Sequence, residues 1–280
     1  MKIFSIPTGN LKMDGGAMFG VVPKILWQKN YPADENNFCN WAMRCLLIDD
    51  GPRKILVDTG IGDKQDEKFF SKYHLNGNDN LINSLTINGY STDDITDIIF
   101  THLHFDHVGG ALKYNKERSE TELTFKNATY WISRQQWNCA INPNRKEKPS
   151  FLKENIIPIE DSGHLKFIKN DTLLFTDILV KLFYGHTDGQ VIPFISYKGK
   201  TIVFMGDMIA SSAHIPVPYV MGYDVNPLTV IAEKEKFLAD AAEKQYILFF
   251  EHDLNVECCT VCKTEKNDFR VRNVFQLVDV

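Results

Sequence analysis

Ile99-Phe100-Thr101-His102-Leu103-His104-Phe105-Asp106-His107-Val108-Gly109-Gly110 is the stretch on which the reading of this chain turns. An apolar run empties into a dense group of metal-binding side chains, and three of the eight histidines of the chain fall within it. Side chains alternate along an extended segment, so His102 and His104 point the same way and can share one metal ion. Asp106 and His107 follow where the chain turns, and can face a second ion. Neutral imidazole suits zinc and similar divalent ions, and a carboxylate lets another ion bind beside it. Gly109-Gly110 permit a sharp turn with close backbone approach. A chance group of this kind, buried without metal, would leave many polar atoms unpaired.

Four side chains from one loop cannot hold two ions, so further ligands must come from elsewhere. Three later segments repeat the pattern of an apolar strand followed by a ligand type. They are Leu182-Phe183-Tyr184-Gly185-His186, Val203-Phe204-Met205-Gly206-Asp207 and Leu248-Phe249-Phe250-Glu251-His252. Each ligand type stands where a strand runs into a loop, the usual place for a site on such a scaffold. Alone, each would more often be structural.

Taken together, the H-x-H-x-D-H motif at His102, His104, Asp106 and His107, the order His186, Asp207, His252, and the upstream Leu56-Val57-Asp58-Thr59-Gly60 resemble the metallo-β-lactamase superfamily. The resemblance implies an α+β fold, a four-layer αββα sandwich with two central mixed β-sheets. It implies two divalent ions, zinc first, with manganese, iron or cobalt as alternatives. His102, His104 and His186 would hold one ion, Asp106, His107 and His252 the other, and Asp207 would bridge them. A hydroxide between the ions would attack the substrate. Asp106 and Asp207 are the catalytic candidates, and Asp207 could also relay a proton to the leaving group. Within the superfamily, the motif followed by Gly109-Gly110, and Gly15-Gly16-Ala17-Met18-Phe19-Gly20 near the start, are similar to the N-acyl homoserine lactonase and methyl parathion hydrolase-like branch.

Two departures stand out. The common G-H-T-P-G-H becomes Gly185-His186-Thr187-Asp188-Gly189-Gln190, and Ala210 stands where such lactonases often carry a tyrosine. Tyr184, Tyr219 and Tyr223 are the substitutes to consider, Tyr223 the weakest. Asp58 reads equally as a residue orienting a ligand histidine and as a turn residue. His214 reads as a pocket wall, His74 and His164 as surface residues.

The chain has 280 residues, 44% apolar and 24% charged, with a formal net charge of −5. That suits one hydrolase domain over residues 1–280, with 1–40 as an extended segment packing near the site. The acidic balance argues against a nucleic-acid partner, since phosphate contacts need clustered Lys and Arg. Arg134, Arg145, Lys146 and Lys148 read as a solvated loop. No apolar run reaches the roughly 20 residues of a membrane span, and the start is too short for a secretory signal. The expectation is a cytoplasmic enzyme acting on a small molecule, with a homodimer as the oligomer to look for. Six cysteines are too sparse for a disulfide scaffold, and Cys258, Cys259 and Cys262 read as ordinary thiols.

Alternating and β-branched runs predict strands at Lys2–Pro7, Met43–Ile48, Lys54–Val57, Asp97–Phe100, Ala128–Ile132, Leu173–Phe183, Val191–Tyr197, Thr201–Met205 and Tyr246–Phe250. Helices are expected over Lys64–Tyr73, Leu81–Asn88, Arg134–Ile141 with Ser133 as its cap, and Pro227–Lys244 capped by Asn226. Asn10–Asn40 reads as a long loop with much apolar surface. Asn142–Glu160 and Met208–Asn226 show no regular structure. The favoured activity is hydrolysis of a lactone or ester. Phosphotriester hydrolysis on the same fold is the alternative, and a metal-binding module without turnover is disfavoured by the intact motif.

Overall fold

The computed structural model describes residues 1–115 and 117–280. They form two compact units, one of Met1–Gly9 and Met43–Asn170, the other of Asn10–Ala42 and Asp171–Val280.

The strands of the N-terminal half of the chain are β1 (Lys2–Asp14), β2 (Phe38–Asp49), β3 (Lys54–Val57), β4 (Asp97–Ile99), β5 (Leu112–Tyr114), β6 (Thr121–Leu123), β7 (Thr129–Ser133) and β8 (Leu165–Ile168). Six of them form a sheet in the order β1-β2-β3-β4-β7-β8, and β5 and β6 form a separate hairpin. β3, β4, β7 and β8 run parallel to one another, while β2 and β3 are antiparallel. Ile55, Leu56, Val57, Ile98 and Ile99 are all fully buried. Parallel strands covered on both faces require such continuous apolar runs, and β4 delivers the chain directly into the histidine motif. The helix Arg134–Ile141 begins as expected, with the Ser133 hydroxyl accepting from the Gln136 amide at 2.9 Å.

In the second unit, β9 (Thr172–Phe175), β10 (Ile178–Phe183), β11 (Gln190–Tyr197), β12 (Lys200–Phe204), β13 (Ile247–Phe249), β14 (Cys258–Lys263) and β15 (Phe269–Phe275) form one sheet in reverse chain order. All pairs are antiparallel except β12 with β13. That parallel pair needs a crossover, and the helix Pro227–Lys244 supplies it. Its residues Phe237, Leu238 and Ala241 join Ile192, Phe194, Val203, Met205, Leu248 and Phe250 in the core. Lys198-Gly199 make the expected tight turn, both in the left-handed region. Both sheets are mixed and accompanied by helices, the α+β content that the resemblance implies. No helix among the described residues is long and apolar enough to cross a membrane.

Several elements differ from expectation. Leu173–Phe183 is two strands, β9 and β10, broken at Thr176-Asp177. The helix expected over Lys64–Tyr73 shrinks to Glu67–Phe70, because the buried Lys64 ammonium is tied to the Gly109 carbonyl and holds its segment extended. Asn226 precedes Pro227–Lys244 without a side-chain capping bond; its amide donates to the Tyr184 carbonyl instead. Asn10–Asn40 is not one loop: β1 runs on to Asp14, the helices Gly15–Phe19 and Lys24–Trp27 follow, and β2 begins at Phe38. The helix Lys153–Asp161 was hidden by its internal Pro158.

His214 is not a pocket wall but part of the interior of the second unit. It is fully buried, stacked on Phe19 with ring centroids 4.6 Å apart. Its Nε2 donates to the Met18 carbonyl at 2.8 Å, so Nδ1 accepts from the Ser211 hydroxyl, also at 2.8 Å. Burial pushes its pKa down to about 4. The folded state therefore excludes a proton that the unfolded chain binds below about pH 6.5. Stability is expected to be complete above that value and to fall by up to about 3 kcal/mol as pH drops toward 4. Urea melts at pH 7 and 4.5 test this, with His214→Gln flattening the slope. An unchanged slope would reject the neutral buried imidazole.

Candidate metal centre

The histidine motif is shaped by the turn that follows β3. Asp58 lies fully buried with φ near +58°, a conformation that costs a non-glycine residue energy and tends to occur at working sites. Its backbone amide bonds to the Ile99 carbonyl at 3.0 Å. Both the amide and the hydroxyl of Thr59 donate to the His107 carbonyl, at 2.8 and 2.9 Å. The Gly110 amide donates to the Gly60 carbonyl at 3.0 Å. The two turns are pressed so closely that a side chain on Gly109 would collide with the Ile61 carbonyl, and one on Gly110 with that of Thr59.

Asp58 organises the buried histidines. One carboxylate oxygen accepts the Thr101 amide at 2.7 Å. The other accepts the Thr101 hydroxyl at 2.6 Å and lies 3.0 Å from His107 Nδ1. The Thr101 proton is thus committed to Asp58, so His102 Nδ1, 3.0 Å from that hydroxyl oxygen, is the donor between them. Both assignments leave Nε2 of His102 and His107 unprotonated in the neutral rings. His102 Nε2 then faces His104 Nδ1 at 3.0 Å. On the outer side of His104, the buried Glu147 carboxylate stands 3.8 Å from Nε2. Asp106, at the start of the short helix Phe105–Val108, is 3.9 Å from His107 Nε2. Asp58 thus does both things read from the sequence: it stands in the turn after β3 and it fixes the His107 ring.

A matching arrangement exists inside the second unit. His186 follows β10, Asp207 follows β12 and His252 follows β13. His186 Nδ1 is 2.9 Å from Asp224 Oδ1, and His252 Nδ1 donates to the Ala42 carbonyl at 2.8 Å. Their Nε2 atoms face the two oxygens of one carboxylate, Asp207, at 3.3 and 3.1 Å. With each outer nitrogen already donating, the inner ones present lone pairs to a carboxylate. Acceptors converging this way in a buried place repel one another unless a cation joins them. The donors that each unit supplies therefore fit divalent metal: imidazole nitrogens, those of His102, His107, His186 and His252 with outer partners fixed, plus carboxylate oxygen.

Asp224, Glu147 and the Ala42 carbonyl were not found from sequence. Asp224 lies in an irregular loop and carries no motif, and a backbone carbonyl leaves no trace in residue type. Gln190 is buried with neither end of its amide hydrogen-bonded to protein, and Ala210 is buried. His74 is exposed. His164 is half-buried, with Nδ1 donating to the Ala128 carbonyl at 2.9 Å, so it is a structural rather than a surface residue. Cys258 and Cys259 are buried in β14, and burial pushes the Cys259 thiol up to about 12, away from metal-binding thiolate.

The model of the metallo-β-lactamase superfamily matches residues 44–252. The chain belongs to that superfamily. A probable metal-dependent hydrolase from Staphylococcus aureus superposes with a TM-score of 0.87 at 30% identity, covering 98% of both chains. An N-acyl homoserine lactonase of Bacillus thuringiensis is 24% identical over 271 residues, which is 91% of this chain and 94% of that one. AidC, a dizinc quorum-quenching lactonase solved with a product, shares the fold with a TM-score of 0.77 at 24% identity, covering 98% of this chain and 95% of its own. The relatives of this superfamily member are thus metal-dependent hydrolases, lactonases prominent among them.

Proposed function

We propose that this chain is a dinuclear metal-dependent hydrolase that opens lactones or esters of small molecules. His102, His104 and His186 hold one ion in this reading, Asp106, His107 and His252 the other, and Asp207 serves both. Zinc is the favoured metal, with manganese, iron and cobalt compatible with the same nitrogen and oxygen donors. The observation that carries the reading is the fixed outer partner of His102, His107, His186 and His252, Asp58 for His107 and Asp224 for His186 above all. When bound, two such ions lower the pKa of water from about 16 to about 7 and polarise a carbonyl oxygen, the chemistry that lactone and ester opening need.

The protein's own groups do the rest. Asp58, Asp224 and the Ala42 carbonyl keep the imidazole rings from turning. Asp207 faces the Nε2 atoms of both His186 and His252, and it is the candidate to pass a proton to the leaving oxygen. Ala210 can supply no hydrogen bond to the oxygen of an opening lactone. Loss of one such donor costs about 100- to 1000-fold in rate.

A panel of lactones, aryl esters and phosphotriesters tests the proposal. The expected result is measurable turnover of lactones and activated esters, a broad range, and no strong preference for acyl homoserine lactones. A kcat/KM for long-chain acyl homoserine lactones in the upper part of the usual ~10⁴–10⁸ M⁻¹s⁻¹ range would overturn the specificity. Phosphotriester rates well above those of every lactone would replace the substrate class.

A further inference from the structure

Glu233 and Lys234, adjacent on the helix Pro227–Lys244, lie far in sequence from every motif. Both stand within the second unit and grip backbone rather than side chains. Glu233 accepts the amides of Tyr184 at 2.7 Å and Gly185 at 3.0 Å, one on each carboxylate oxygen. These are the two residues before His186. Lys234, 1% exposed, donates to the carbonyls of Pro216 at 3.0 Å and Tyr219 at 2.7 Å. That loop leads to Asp224, the partner of His186 Nδ1.

The start of the same helix completes the clamp. The Asn226 amide donates to the Gly185 carbonyl at 2.9 Å, and the Val225 amide to that of His186 at 3.0 Å. Any side chain on Gly185 would press into Val230, its Cβ 2.5 Å from a Val230 methyl carbon. A buried charge on a helix is costly unless it is hydrogen-bonded. Here a carboxylate takes donors from the strand end that carries His186, and an ammonium takes acceptors from the loop that carries Asp224. The two segments then meet at the His186–Asp224 bond.

We propose that Glu233 and Lys234 are positioning residues: Glu233 sets the place of His186 as a metal ligand, and Lys234 sets the Pro216–Tyr219 loop that leads to Asp224, the partner of His186. This rests on the dinuclear reading above. Neither residue touches metal or substrate in it. A carboxylate with two acceptor oxygens can satisfy both amides, whereas a glutamine presents an NH₂ to one of them, donor against donor. Outer partners of this kind change metal affinity by about 10- to 100-fold.

The test titrates metal-stripped protein with zinc against a competing chelator, alongside kinetics on the best ester. Wild type is expected to bind two zinc ions per chain. Glu233→Gln is expected to weaken one of them about 10- to 100-fold and leave the other within about threefold. Lys234→Met is expected to weaken the same ion about 3- to 10-fold and to leave the other within about threefold, since it acts on His186 only through the loop that carries Asp224. Asp240→Asn, at a half-exposed carboxylate of the same helix paired with Lys244, should change neither affinity nor kinetics. Should Glu233→Gln prove insoluble, Glu233→Asp is read in its place, with its shorter reach giving an intermediate loss of about 3- to 10-fold. Glu233 variants that bind both zinc ions as tightly as wild type, or that lose only melting temperature, overturn the role of Glu233. Lys234→Met that binds both zinc ions as tightly as wild type overturns that of Lys234. A wild-type protein that fails to bind two zinc ions rejects the dinuclear reading itself and is separate from either outcome.

Discussion

Asp207→Asn is expected to keep the fold and bind substrate nearly as well, yet turn over about 100- to 1000-fold more slowly. Both oxygens of Asp207 are engaged, one 3.3 Å from His186 Nε2 and the other 3.1 Å from His252 Nε2. An amide keeps the shape but replaces one acceptor with a donor and removes the charge. One of the two nitrogens then faces an NH₂ group, and the cation that the acceptors require is held less firmly. Metal content should fall toward one ion per chain under mild chelation, while KM stays within a few-fold. The measurements are elemental analysis and steady-state kinetics on the same preparation. Near-native turnover in a fully metallated Asp207→Asn protein would remove Asp207 from the centre.

Removing the metal is expected to have an effect as large, on both activity and stability. Protein purified without chelator should carry about two divalent transition ions per chain. Stripping should abolish hydrolysis, and zinc or cobalt should restore it. The stripped protein should also melt lower. A ligand at a thousand times its dissociation constant adds about 4 kcal/mol to stability, which for a chain of this size corresponds to roughly 10 °C. The buried, converging acceptors explain the direction: His186 Nε2 and His252 Nε2 against Asp207 repel when nothing lies between them. A metal content near zero, with activity and melting point indifferent to added metal, would refute the proposed function.

Much of this was legible because the chemistry is concentrated. The apolar Ile98-Ile99 strand and the histidines that follow it are adjacent in sequence, so strand, turn and ligand set announce one another. The helix Pro227–Lys244 was equally plain, with its first-turn proline and with Val230, Phe237, Leu238 and Ala241 on one face. What escaped notice depends on partners distant in sequence. Lys64 looked like the start of a helix because local propensity carries no record of the Gly109 carbonyl that holds it extended. His214 looked like a pocket residue because nothing in Ser211–Pro216 reveals the Phe19 ring beneath it. Asp224, Glu233 and Lys234 act on backbone or across long separations, and such contacts leave no periodic pattern. β14 and β15 were missed for a different reason. Cys258-Cys259-Thr260-Val261-Cys262 reads as a run of ordinary thiols with no polar alternation, whereas its burial marks it as an interior strand.

The contact between the turn after β3 and the glycine turn after His107 bears on how such a centre can change over time or by design. Because backbone meets backbone there, with Ile61 against Gly109 and Thr59 against Gly110, neither segment can be exchanged alone. A graft of the histidine motif onto another scaffold has to bring residues 58–64 with it, left-handed Asp58 included. Variation in the one turn is admissible only where the other gives way in step, so the heritable unit is the pair of turns, nearly fifty residues apart along the chain and inseparable in space.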